Sequence, residues 1–267
     1  MKKKVLSITG LVLAVVLLVG AFAACGKKDT QNTSNSDLAY IQGNGKLIIG
    51  ITDYEPMNYK DENNKWIGFD TEYAEAVCAK LGVTPEFVVV ANWGEKYNEI
   101  KAKSLDCAWN GLTIDETAKL NADLTNAYAR NAQVVVMSKD AAAKYTTVDS
   151  MKDLKFAVED GSAGQAVAKE NGFTKVTAVD DQAATLLEVK SGAADACIID
   201  LTMANAVTGE GKTYADYTVA LELSEEQFGI ACRQGSDLPA EINRITEELK
   251  ADGTLQKLAE KYNVVLA

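Results

Sequence analysis

The sequence predicts an α/β protein built as two similar lobes around a cleft, and three observations carry that prediction. Short apolar runs such as KLIIGI (Lys46–Ile51) and EFVVV (Glu86–Val90) alternate with amphipathic helical stretches, the order that builds a mainly parallel sheet under helical cover. The same alternation begins again after Met137. In both halves a strand runs into a glycine-bearing or acidic turn, at the carboxyl edge of the sheet where α/β proteins hold small ligands.

The first half opens with the strand Lys46–Ile51, which stops at the turn Thr52-Asp53-Tyr54-Glu55-Pro56. Asp70 is the expected cap of a helix carrying Tyr73, Ala74, Val77, Cys78 and Leu81 on one face, and Gly82 is its stop. After the strand Glu86–Val90, Trp93-Gly94 introduces a helix through Tyr97 and Ile100. The stretch Leu105–Met137 then reads as a strand end through Trp109, a polar turn Asn110-Gly111-Leu112-Thr113, a short helix and a β-rich exit at Val134, Val135 and Val136.

In the second half a helix over Val148–Leu154 precedes the strand Lys155–Val158 and the turn Glu159-Asp160-Gly161-Ser162-Ala163-Gly164, which opens a helix through Glu170. Such a turn offers free N–H groups to an anion, although a plain strand-to-helix turn reads the same way. A strand at Val176–Val179, a helix over Ala183–Val189 and the strand Asp195–Ile199 complete this half. Asp200 then stands either as a helix N-cap or as a carboxylate facing the cleft. Val219–Leu223 and Phe228–Cys232 read as two strands, and the tail from Leu238 to Tyr262 as two amphipathic helices packed back on an earlier lobe. Two bodies joined by more than one extended crossing imply a hinge with the ligand site between them.

The first residues differ in kind from the rest. Lys2, Lys3 and Lys4 precede an apolar run from Leu11 to Val19, the pattern of a secretory signal peptide over residues 1–24; an uncleaved membrane anchor is the alternative. Phe22-Ala23-Ala24-Cys25 resembles a bacterial lipobox, with Cys25 as the lipidated new N-terminus and Phe22 in place of the usual leucine. Residues 25–43 read as the lipidated cysteine and a flexible tether. Cleavage removes three lysines and no acid, leaving 24 basic against 38 acidic residues, a charge of −14 that argues against nucleic acid as a partner. Histidine is absent, and Cys78, Cys107, Cys197 and Cys232 show no CxxC spacing, so no metal or other cofactor is expected and the thiols are expected to be free and buried.

The chain from about Lys46 onward resembles the extracellular solute-binding proteins of polar amino-acid ABC transporters. The resemblance lies in Asp53-Tyr54-Glu55-Pro56, Gly68-Phe69-Asp70, Gly111-Leu112-Thr113-Ile114, Tyr128, the Lys155–Gly164 turn, Asp195–Asp200 and Asp252-Gly253 with Lys261-Tyr262. It implies a two-lobed periplasmic-binding-protein-like fold of type II, with one lobe over residues 44–133 plus 227–267 and the other over 134–226. It also implies a lipid-anchored receptor that passes a small polar solute, an amino acid or related amine, to an ABC permease and its ATPase.

Carried over by position, Asp53 and Tyr54 edge the first lobe, Gly111 and Thr113 meet the ligand's carboxylate, neighbouring Asn110 is a further ligand-binding residue, and Gly161, Ser162 and Ala163 face the carboxylate from the second lobe. Asp200 would hold the ammonium. Trp93 and Trp109 could form an aromatic wall, with a core role as the alternative for Trp109. An arginine usually grips the carboxylate, and its position here is Ala118; Lys119 or Arg130 could compensate or could be solvated surface residues. Glu159, if turned inward, would make the cleft acidic and favour an amine-bearing ligand. The competing readings are an enzyme on the same scaffold, resembling cyclohexadienyl dehydratases, and a ligand-sensing domain, against which stands the lack of a further module after Ala267.

Overall fold

The computed structural model describes residues 36–267. The signal peptide and Cys25 lie outside the described residues. The body begins earlier than the expected tether allows, because Asp37–Asn44 forms a helix, α1, that buries Ile41 completely. Ser36 caps it by accepting the Ala39 N–H, so a stretch read as polar linker becomes a helix once one apolar side chain finds the core.

The first half follows as β1 (Lys46–Ile51), a small hairpin of β2 (Tyr59–Lys60) and β3 (Trp66–Ile67), α2 (Phe69–Leu81), β4 (Thr84–Val89), α3 (Lys96–Ala102) and β5 (Cys107–Thr113). Then come α4 (Glu116–Asn121), β6 (Asp123–Leu124) and the long β7 (Ala129–Ser138). The second half contains α5 (Lys139–Ala142), α6 (Val148–Met151), β8 (Phe156–Glu159), α7 (Ala163–Glu170), β9 (Val176–Val179), α8 (Gln182–Ser191), β10 (Ala196–Asp200) and α9 (Leu201–Val207). The chain closes with β11 (Tyr217–Cys232), α10 (Leu238–Ala251), α11 (Thr254–Tyr262) and β12 (Val265–Leu266).

The strand order is β4-β1-β5-β11-β7-β10-β8-β9. β1 pairs parallel with β4 and β5 in the first lobe, and β8 pairs parallel with β9 and β10 in the second, as the alternating pattern predicts. β7 and β11 run antiparallel between the lobes and join them. The two strands read at Val219–Leu223 and Phe228–Cys232 are thus one strand of 16 residues, bent by register shifts at Val219/Leu221 and Glu222/Ser224. The polar residues between those two stretches stay in the ladder: Glu226 pairs with Asn131, and Ser224 with Gln133.

Two further readings change. Asn110–Thr113 is the end of β5 rather than a turn. Asp70 does not cap α2, whose N-cap is Gly68; its buried carboxylate accepts the Gly111 N–H at 2.7 Å and the Tyr128 hydroxyl at 2.9 Å. Around that node the first-lobe core is aromatic, with Tyr73 edge-on to Trp109 at 4.8 Å and Phe69 stacked on Tyr128 at 6.1 Å. The second-lobe core gathers Val135, Met137, Phe156, Val158 and Ile198. All four described cysteines are free and buried in strands or helices.

Candidate functional site

Between the lobes lies a cavity of about 500 Å³. Trp93, Lys96 and Tyr97 wall it on the first-lobe side, with Asn110, Gly111 and Thr113 at the end of β5. Glu159, Gly161, Ser162, Ala163 and Asp200 wall it on the second-lobe side, and Gln133 reaches in from β7. Toward the outside the cavity extends between Tyr97 and Thr117 on one side and Lys169 and Phe173 on the other. The strand-end rule located this site because β5, β8 and β10 all end at it.

The lobes meet across the cavity. A Cβ placed on Gly161, which has φ +68°, would stand 2.3 Å from the Gly94 Cα, so glycine at 161 permits backbone contact between the lobes. The Thr52 hydroxyl lies 3.2 Å from Glu159 Oε1, and Lys96 Nζ donates to the Gly161 carbonyl at 3.1 Å. These contacts describe a closed cleft.

Asp200 is 2 % exposed and anchors the floor. Its Oδ1 accepts the side-chain amides of Asn131 (2.6 Å) and Gln133 (2.5 Å), while Gln182 donates to Oδ2 and accepts the Asp200 N–H. The side chain makes no capping bond to α9; Asn131 Oδ1 takes the Thr202 N–H instead, so of the two readings the structure supports the cleft-facing one. The Asn131 and Gln133 amides also bond Glu226 Oε1 at 2.6 and 2.9 Å, and the Thr113 hydroxyl donates to Glu226 Oε2 at 3.0 Å. Two carboxyls are thereby drawn together at the joint between the lobes.

Burial sets the protonation of these acids. It pushes Glu226 up to about 8, with the charge of Asp200 adding to the shift, and it raises Asp200 as well. Glu159, 3 % exposed, is pushed up to about 8 by burial, partly opposed by the Thr52 hydroxyl and the Lys96 charge.

Nine of the expected residues line this cavity: Trp93, Asn110, Gly111, Thr113, Glu159, Gly161, Ser162, Ala163 and Asp200. The others stand elsewhere. Asp53 is exposed on a separate crevice with Glu55, Lys60 and Tyr214. Tyr54 is buried under Gly111, where a Cβ would come 2.6 Å from its ring, and Trp109 is wholly in the core. Lys119 pairs with Glu116 on the surface at 53 % side-chain exposure, and Arg130 is exposed beside β12. Neither Lys119 nor Arg130 is among the residues that line the cavity.

Sequence reasoning missed Lys96, Gln133, Gln182 and Glu226. Lys96 stands one helical turn before the inward Ile100, and Glu226 two residues before the inward Phe228, so periodicity placed both on inward faces. Their charge argued the other way.

A two-lobed α/β body that closes over a polar cavity is the architecture of a solute-binding protein. The chain belongs to the bacterial extracellular solute-binding proteins, family 3, whose pattern it matches over residues 47–265. The arginine-binding extracellular protein of Bacillus subtilis is 28% identical over 261 residues, covering 94% of this chain and 96% of that relative. The crystal structure of an ancestral amino-acid-binding protein, a precursor of cyclohexadienyl dehydratase, matches with TM-score 0.77 and 31% identity over 85% of this chain and 99% of its own. A substrate-binding protein of an ABC uptake transporter from Streptococcus pneumoniae with bound histidine matches with TM-score 0.77 and 26% identity, over 86% and 96%. These relatives are amino-acid-binding proteins, in agreement with a binding rather than enzymatic role. Among the described residues no helix is long and apolar enough to cross a membrane.

Proposed function

We propose that this protein captures an amino acid carrying a cationic or amine-bearing side chain outside the cell and passes it to an ABC permease driven by its ATPase. The observation that carries the reading is the acidic floor of the closed cavity, where Asp200 and Glu159 stand buried, with Glu226 half-buried behind the amides of Asn131 and Gln133 and, among the described residues, none of the three in an ion pair. An ammonium entering there displaces protons and gains charge-assisted hydrogen bonds of about 1.5–3 kcal/mol each. The Trp93 ring supplies an apolar wall for the ligand's carbon chain. Relatives whose names specify arginine and histidine agree with that chemistry in kind.

A thermal-shift panel of the twenty amino acids tests the reading. One or more basic amino acids raise the melting temperature, since a ligand that binds only the native state stabilises it; no shift with any member contradicts the proposal. The proposal also anchors the protein through lipid on Cys25, with residues 1–24 removed. Cys25→Ala then leaves the membrane fraction, and retention of the variant contradicts the anchor. The lobes are taken as residues 44–133 with 227–267, the first extended by α1, and 134–226, moving about β7 and β11.

A further inference from the structure

Lys96 is the one charged side chain of the cavity wall that is both basic and buried, at 5 % exposure. Its ammonium donates to two neutral acceptors, the Trp93 carbonyl at 3.0 Å and, across the cleft, the Gly161 carbonyl at 3.1 Å. The rings of Trp93 and Tyr97 lie 5.0 and 4.7 Å from it. Among the described residues it forms no ion pair; Glu159, Asp115 and Asp160 act on it through space only. Burial lowers its pKa to about 8, which still leaves it charged at neutral pH. A buried ammonium with three donors, carbonyls on two of them and a cavity beside it, lacks an anion.

The other basic groups near this wall are engaged or outside: Lys119 with Glu116, Arg233 with Asp37, and Lys169 at the exposed mouth. The rim beside Lys96 is suited to an anion in a second way. The Ser162 hydroxyl oxygen accepts the Gln165 N–H, which leaves its own hydrogen free, and the amino end of α7 opens on the cavity at Ala163. Acids on the floor and a cation at the rim give the cavity two poles.

Resting on the amino-acid reading above, we propose that Lys96 is a specificity-determining residue that binds the ligand's carboxylate, so that the cleft selects a zwitterion with its amine on the acidic floor and its carboxylate at the Trp93–Gly161 rim. Because the same ammonium bonds Gly161 across the cleft, it ties carboxylate recognition to closure.

The test compares amino acids with their carboxamides, L-arginine with L-argininamide, L-lysine with L-lysinamide and L-histidine with L-histidinamide, in the parent, Lys96→Met and Lys96→Arg. Losing a hydrogen bond to a charged group weakens binding about ten- to hundredfold. The acid-to-amide affinity ratio therefore falls at least about tenfold in Lys96→Met and is largely kept in Lys96→Arg, while the ligand-free melting temperature of Lys96→Met stays level or rises, because a desolvated charge has been removed. A ratio that survives in Lys96→Met overturns the proposal, as does an equal loss for acid and amide, which marks a structural role. If no member of the panel stabilises the parent, the amino-acid reading itself fails and the lysine assignment falls with it.

Discussion

Asp70 and Asp200 are both buried acids near the inner end of a helix, both hold several donors, and both have raised pKa values, Asp70 reaching about 7. They differ in what lies opposite. Asp70 faces Gly111 and Tyr128 in a closed core, where it ties α2 to β5. Asp200 faces a cavity, and the donors around it are side-chain amides shared with Glu226. A buried perturbed acid is therefore not by itself a sign of a binding site; open space beside it makes the difference.

Substitution separates the two. Asp70→Ala leaves the Gly111 N–H and the Tyr128 hydroxyl unpaired, at about 1–3 kcal/mol each, and lowers the melting temperature by about 5 °C or more while folded protein still binds. Asp200→Ala does the reverse: affinity for a basic amino acid falls about ten- to hundredfold, and the ligand-free melting temperature changes by no more than a few degrees, because Glu226 retains the amides of Asn131 and Gln133, a desolvated acid is removed, and only the Gln182 amide loses its acceptor. Calorimetry and thermal melts on both variants check the contrast, and matching profiles would dissolve it.

Gly161→Ala has the next largest effect. Its Cβ would meet the Gly94 backbone, so the closed form is disfavoured and affinity drops about tenfold with the open form still folded. Small-angle scattering with ligand present should report a more open molecule than the parent.

The acids on the cavity side also predict a pH response. Glu159 and Glu226 have folded-state values near 8, raised from an ordinary 4.5, so their contribution to ligand-free stability is complete below about pH 4.5 and is lost as pH rises toward 8. The melting temperature of the ligand-free protein falls over that window. Affinity for a cation moves oppositely, rising by up to about tenfold per pH unit from 6 to 8 for each carboxyl that must ionise. A flat affinity profile would show that the acids do not meet the ligand. The smallest effects belong to Lys119→Ala and Arg130→Ala, which leave affinity within about twofold because both side chains are solvated.

The same contrast explains what could be read from the sequence. The alternation of strands and helices gave the sheet halves, and strand ends at Gly111, Glu159 and Asp200 gave the cavity walls, because backbone direction follows local pattern. The position of Asp53, Tyr54, Trp109 and Arg130 depended on which face of a loop or strand turns inward, a tertiary fact that local pattern does not contain. Lys96 and Glu226 were hidden for a different reason. Their positions carried an inward signal, but a lysine or glutamate reads as solvated until a partner or cavity is known to compensate its burial. The helix over Asp37–Asn44 was masked in the same way by the polar composition around Ile41.

The central claim is that the acidic floor selects an amino acid with a cationic or amine-bearing side chain over an acidic one, and calorimetric titration of the protein at neutral pH with L-arginine, L-lysine, L-histidine and L-glutamate addresses it most directly. At least one basic amino acid should bind with a Kd about a hundredfold or more below that of L-glutamate, as charge complementarity requires. L-Glutamate binding as tightly as the basic amino acids would contradict the account.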